Sequence, residues 1–112
     1  MGPVARIAEL LGLPTSGQDW GVEHADPARL GEFLALAASL NPTHPYEFEM
    51  LSELIFASAE DAHAANQLTP ELELELKEFV RARGSLFPVA LGHWRRMPQG
   101  EWYLPCLLRA IV

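Results

Sequence analysis

The groups able to do chemistry in this chain are few: four histidines, one cysteine and fifteen aspartates or glutamates. His24 and Asp26 stand two residues apart, as do Asp61 and His63, and His44 sits alone before Pro45. None of these spacings holds a metal from a single element in the way of HExxH or paired CxxC. Brought together in three dimensions, His24, Asp26, Asp61 and His63 would form a small metal or acid–base site, which is the enzymatic alternative for this sequence. Cys106, flanked by Pro105 and Leu107, reads as a small buried hydrophobe. No signature supports a Cys–His nucleophile pair. Gly17-Gln18-Asp19-Trp20-Gly21 lacks the Lys and Ser/Thr of a phosphate loop. The chain is accordingly read as non-enzymatic, with no catalytic residue, no metal and no cofactor.

The carboxylates between Tyr46 and Ala65 carry a more specific signal. YEFEMLSELIFASAEDAHAA has no Gly or Pro and is the longest uninterrupted helical stretch. On a helical wheel Phe48, Leu51, Leu54, Ile55, Ala59 and Ala62 form a broad apolar sector. Opposite them, Glu49, Glu53, Phe56 and Glu60 fall within about 60° of one another. Glu49 and Glu53 are four apart with no cation between them, which costs roughly a few tenths of a kcal/mol. An aromatic anchor among steering charges suits a binding surface, and Asp61 and the Trp20 loop would form its rim. The competing reading buries Phe56 under a neighbour and leaves the acids merely solvated. A second acidic patch, Glu71, Glu73, Glu75 and Glu78, is partly explained locally, since Glu71 complements a helix dipole and Glu73 can pair with Lys77.

The elements that must position these residues are all helical. Val4, Ile7, Ala8 and Leu11 define a short amphipathic helix, with Pro3 at its start and Gly12 at its stop. Residues 12–25 show no period and read as a long loop, with Trp20 expected to be buried and to pin it. Asp26-Pro27 opens the next helix, whose core stripe is Leu30, Phe33, Leu34, Ala37 and Leu40. The same Ser/Thr/Asp-plus-Pro device recurs at Thr43-His44-Pro45 and at Thr69-Pro70. ELELELKEF alternates like a strand, yet its Thr-Pro start, Glu and Leu content and Gly84 stop make 70–83 a helix with Leu74 left outside. Ser85 to Arg96 reads as a helix capped by Ser85, with Leu86, Val89, Ala90, His93, Trp94 and Met97 facing inward. A last short helix, 105–111, closes the core.

The expected architecture is therefore all-α: one domain spanning 1–112, five or six helices around a long central helix at about 45–65. Hydrophobic residues make up 49% of the chain, enough for one core. The lone cysteine gives no disulfide framework. No apolar run reaches membrane-span length, and MGPVARIAELLGLP is too short for a signal peptide, so no membrane association and a cytoplasmic location are expected. The net charge of −7 argues against a nucleic-acid partner. Residues 70–83 and 85–96 could imitate a helix-turn-helix, but SLFPVAL offers no base-reading side chain. The acidity suits a basic protein partner. Seven of the eight cations are Arg, which with the Ala and Leu richness fits a GC-rich bacterial genome.

In small size, acidity, helical plan and lack of catalytic spacing the chain resembles the small immunity or antitoxin-type proteins of bacteria. The resemblance covers overall character and no diagnostic motif. It implies a non-enzymatic protein that neutralises a basic toxin through an acidic helix face, here Glu49, Glu53, Phe56 and Glu60. The second reading is a structural, homodimerising module that associates through the apolar segment 102–112, with Leu74 and the Trp residues as interface material.

Overall fold

Helix starts and stops written into the sequence set the architecture. The computed structural model describes residues 4–44, 46–98 and 102–111. Its helices are α1 (Ala5–Leu11), α2 (Trp20–Glu23), α3 (Leu30–Ser39), α4 (Glu47–Ala64), α5 (Pro70–Arg83), α6 (Pro88–Arg95) and α7 (Tyr103–Ala110). Short 3₁₀ turns at Pro27–Arg29 and Gly84–Leu86 lead into α3 and α6. The protein is an all-α domain, and no strand occurs among the described residues.

Two of the expected caps form as read. The Asp26 carboxylate accepts from Ala28 N at 3.0 Å, and Thr69 Oγ1 accepts from Leu72 N at 3.2 Å. Gly12 ends α1 in the left-handed conformation (φ 68°), letting Leu13 N reach back to Ala8 O; only a residue without Cβ enters that region freely. Asn66 (φ 57°) does the same after α4. The alternating 70–83 segment is helical, with Leu76, Phe79 and Val80 buried and Leu74 exposed, as the helix reading required.

Three starts differ from expectation. At the head of α4 the Thr43 hydroxyl is not the cap; instead Thr43 N donates to the Glu47 carboxylate and Tyr46 N to His44 Nδ1. Pro45 lies outside the described residues, as do Pro3 and residues 99–101. Ser85 caps nothing: it sits within a 3₁₀ turn, and α6 begins only at Pro88. With that start, Phe87, Ala90 and Trp94 point inward, whereas Val89 and His93 are exposed. The last helix begins two residues early, at Tyr103.

The segment 12–25 is not wholly loop. Its second half folds as α2, pinned by Trp20, which is 1% exposed and donates its indole N–H to Pro14 O at 2.7 Å. Gly21 lets α2 lie directly on α4, because a Cβ there would stand 2.7 Å from Leu54 N and from Glu53 Cβ. No side chain fits that gap.

α4 is the mast. It packs against α2, α3, α6, α7 and the Pro27–Arg29 turn, and twelve of its eighteen residues are buried. That is burial nearly all round rather than along one apolar stripe. The C-terminal segment is likewise absorbed, since Leu104, Leu107, Leu108 and Ile111 belong to the same core. These four side chains serve the chain's own core, so they are not the free apolar surface expected of 102–112, whereas Trp102 is exposed. Cys106 is exposed rather than buried, because it lies on the outer side of α7, away from this row.

Candidate functional site

The four residues read as a partner surface on α4 have separate fates. Phe56 is fully buried, with Phe79, Phe87 and Trp94 around it edge-on at centroid distances of 6.3, 5.8 and 6.1 Å. It is the centre of an aromatic cluster joining α4, α5 and α6, and touches no solvent. Glu60 is 9% exposed, and its two oxygens accept from Tyr103 N and Leu104 N, each at 3.1 Å. The surface assignment fails for both residues, because the helices that cover α4 reach over this side as well.

Glu49 is also engaged internally. Its carboxylate accepts from Val89 N at 3.0 Å and Ala90 N at 3.3 Å, the first amides of α6. Neither α6 nor α7 has a capping side chain of its own, their N-cap positions being Phe87 and Trp102. The first N–H groups of a helix lack internal acceptors and carry the positive end of its dipole. Glu49 and Glu60 therefore cap α6 and α7 from a distance, across the helix interface. Glu47 is engaged internally too, by an ion pair rather than a cap: Arg6 of α1 donates to it from Nε at 2.9 Å and from Nη2 at 2.6 Å. Such two-pronged pairing with arginine fixes orientation as well as distance.

Glu53 is the exception. Among the described residues its hydrogen-bond donor is Trp94 Nε1, at a long 3.4 Å. It fronts a cleft of about 450 Å³ between α2, α4 and α6, with Asp19 and His93 beside it and Val22, Met50 and Val89 along the rim. Val22 is 56% and Val89 70% exposed, so the rim offers apolar surface to whatever enters the cleft. Partial burial raises the Glu53 pKa above its ordinary 4.5; the Trp94 bond and His93 pull it back, and Glu49 and Asp19 push it further up. The ion pairs among the described residues are Arg6–Glu47, Arg29–Glu32, Lys77–Glu73 and Arg81–Glu78. None involves Glu53, Glu49 or Asp19. Among the described residues the cleft lining carries two carboxylates, Glu53 and Asp19, and no Lys or Arg; His93 is the group there that opposes their charge.

Of the expected site residues, the structure brings Glu53 and Trp20 to this cleft, with Trp20 forming wall rather than exposed rim, while Glu49 is taken up by the first amides of α6. Asp61 is exposed but two turns further along α4, about 12 Å by helical rise. Val22, Val89 and His93 were missed as site residues because the register of α6 and the existence of α2 were both misread. The other candidate constellation does not assemble. His24 Nε2 lies 3.3 Å from Ser16 O, Asp26 caps the turn before α3, and His63 stacks on Tyr103 at 4.0 Å. Among the described residues no group of three or more His, Cys, Asp or Glu could hold a metal ion. Arg83 and Arg95, at helix C-terminal ends, donate to Leu40 O and Ile111 O, as cations facing carbonyl ends should. No described helix is long and apolar enough to cross a membrane.

Comparison of the chain with protein-family models, curated proteins and solved structures finds no match.

Proposed function

We propose that the protein is a non-enzymatic protein-binding domain of the immunity or antitoxin kind, and that its Glu53 cleft receives a cationic side chain of a basic partner. The observation that supports this reading is a carboxylate with no Lys or Arg partner among the described residues, at the mouth of a cleft with an apolar rim. Arginine and lysine carry a charged head on an aliphatic stem. The head would meet Glu53, with Asp19 adding field, while the stem lies against Val22 and Val89. The overall charge of −7 would steer such a partner and make association salt-sensitive.

The pH dependence has a definite sign. A cation binds the ionised form of Glu53, so affinity grows as pH rises through the raised pKa and fades below it. Folding shows the opposite trend. A carboxyl whose folded pKa is raised favours the fold most when protonated, and that contribution is lost as pH climbs from the ordinary 4.5 through the folded value.

Titration of a short arginine peptide, against its neutral citrulline counterpart, tests the reading by following the Trp94 indole N–H signal. The arginine peptide should shift that signal at low salt, less at high salt, and not at all in Glu53→Gln. An equal response to citrulline, or an unchanged response in Glu53→Gln, would contradict the assignment.

A further inference from the structure

A second surface, built on α3 and α5, shares no lining residue with the Glu53 cleft. A groove of about 470 Å³ runs between these helices, floored by Leu34, Ala38 and Ala82 and overlooked by Leu74 and Glu78. Leu74 is 57% exposed. It is the leucine that helical geometry forces out of the core, since Leu76, Phe79 and Val80 already define the buried side of α5. Successive positions Glu71, Leu74, Glu78 and Arg81 share the outward face, spaced by three or four residues.

Charge along α5 is segregated. From Pro70 to Glu75 there are three Glu and no cation; from Lys77 to Arg83 there are Lys77, Arg81 and Arg83 against Glu78 alone. A helix acidic in its first half and basic in its second complements an antiparallel copy of itself. With a two-fold axis passing near Glu78, Leu74 of one copy lies four residues to one side and Ala82 of the other copy meets it. Glu75 and Arg81, each three residues from the same point, face one another across the interface. Glu78, close to the axis, is already accompanied by its own Arg81 at 3.4 Å. An isologous contact of this kind uses one patch twice, which is what two-fold dimers require.

The geometry points to a second copy of this chain as the occupant of the α3–α5 groove, packed antiparallel along α5 with Leu74 seated against Ala38 and Ala82 of its partner. Sedimentation equilibrium of the full chain over a concentration series reads the association directly. The wild-type chain should show a reversible monomer–dimer equilibrium. Leu74→Glu should weaken it by about a hundredfold, since two leucines lose their burial and each is worth roughly a factor of ten. Glu75→Arg should weaken it as well, and Glu75→Arg with Arg81→Glu should restore it. All three positions are at the surface, and thermal melts of the variants establish that each remains folded. A chain that stays monomeric at millimolar concentration overturns the proposal. So does a dimer indifferent to Leu74→Glu, or a double variant no tighter than Glu75→Arg.

Discussion

Phe56→Ala should cost the fold about 3–5 kcal/mol, in the range found for emptying a buried phenylalanine site. Phe56 has three aromatic neighbours, Phe79, Phe87 and Trp94, contributed by or adjoining two other helices. Edge-to-face pairs are worth about 0.5–1.5 kcal/mol each beyond the area they bury. The cavity would sit where α4, α5 and α6 meet, so relaxation of any one helix cannot fill it. With a urea slope of about 1–3 kcal/mol per molar, the denaturation midpoint should fall by about 2 M. Phe56→Leu should lose distinctly less, because it retains much of the volume. A loss below about 1 kcal/mol for the alanine variant would place Phe56 at the surface and revive it as a binding anchor.

Glu60→Ala should be the next most damaging change, at about 2–4 kcal/mol, because it leaves two amide donors without an acceptor. Both are at the start of α7, and Leu104 N is buried. The effect should be local before it is global. Amide exchange should quicken across Tyr103–Ala110 while α3 and α5 keep their protection. Tyr103 supports this end of the molecule too, since its hydroxyl donates to Glu73 and its ring stacks on His63. Burial and that carboxylate push the Tyr103 pKa well above its ordinary value of 10.0, so the phenol stays protonated and the donor stays in place throughout the physiological range. Uniform exchange, with α7 no faster than the rest, would show that Glu60 does not anchor it.

The parts of this fold legible in the sequence are those decided locally. Asp26 and Thr69 cap because a short acceptor side chain before a proline can do little else. The stripe Leu30, Phe33, Leu34, Ala37 and Leu40 is buried as read, and Leu74 is outside because one helical face cannot hold all three alternating leucines. What was not legible is how far α4 would be covered. Its polar line looks solvated on a wheel because the wheel omits α6 and α7, which lie on that side. A signal was nonetheless present. Phe87 and Trp102 are poor caps, so two helices lacked acceptors for their first amides, while α4 carried more carboxylates than its own stability explains. Matching the orphan donors of one element to the surplus acceptors of another would have placed Glu49 and Glu60 inside. The same matching would have left Glu53 as the carboxylate with no such duty.

That division of labour among three glutamates is the centre of the account, and one measurement separates them: thermal unfolding at neutral pH of Glu49→Gln, Glu53→Gln and Glu60→Gln side by side. Glutamine offers one carbonyl acceptor where a carboxylate offered two, and no charge to the helix dipole. Glu49→Gln and Glu60→Gln should therefore melt below the wild type. Glu53→Gln should melt above it, since the residue keeps an acceptor for Trp94 and sheds a partly buried charge with no Lys or Arg partner among the described residues. A Glu53→Gln variant destabilised like the other two, or three variants indistinguishable from wild type, would contradict the claim that α4 uses Glu49 and Glu60 to hold the fold and leaves Glu53 to the cleft.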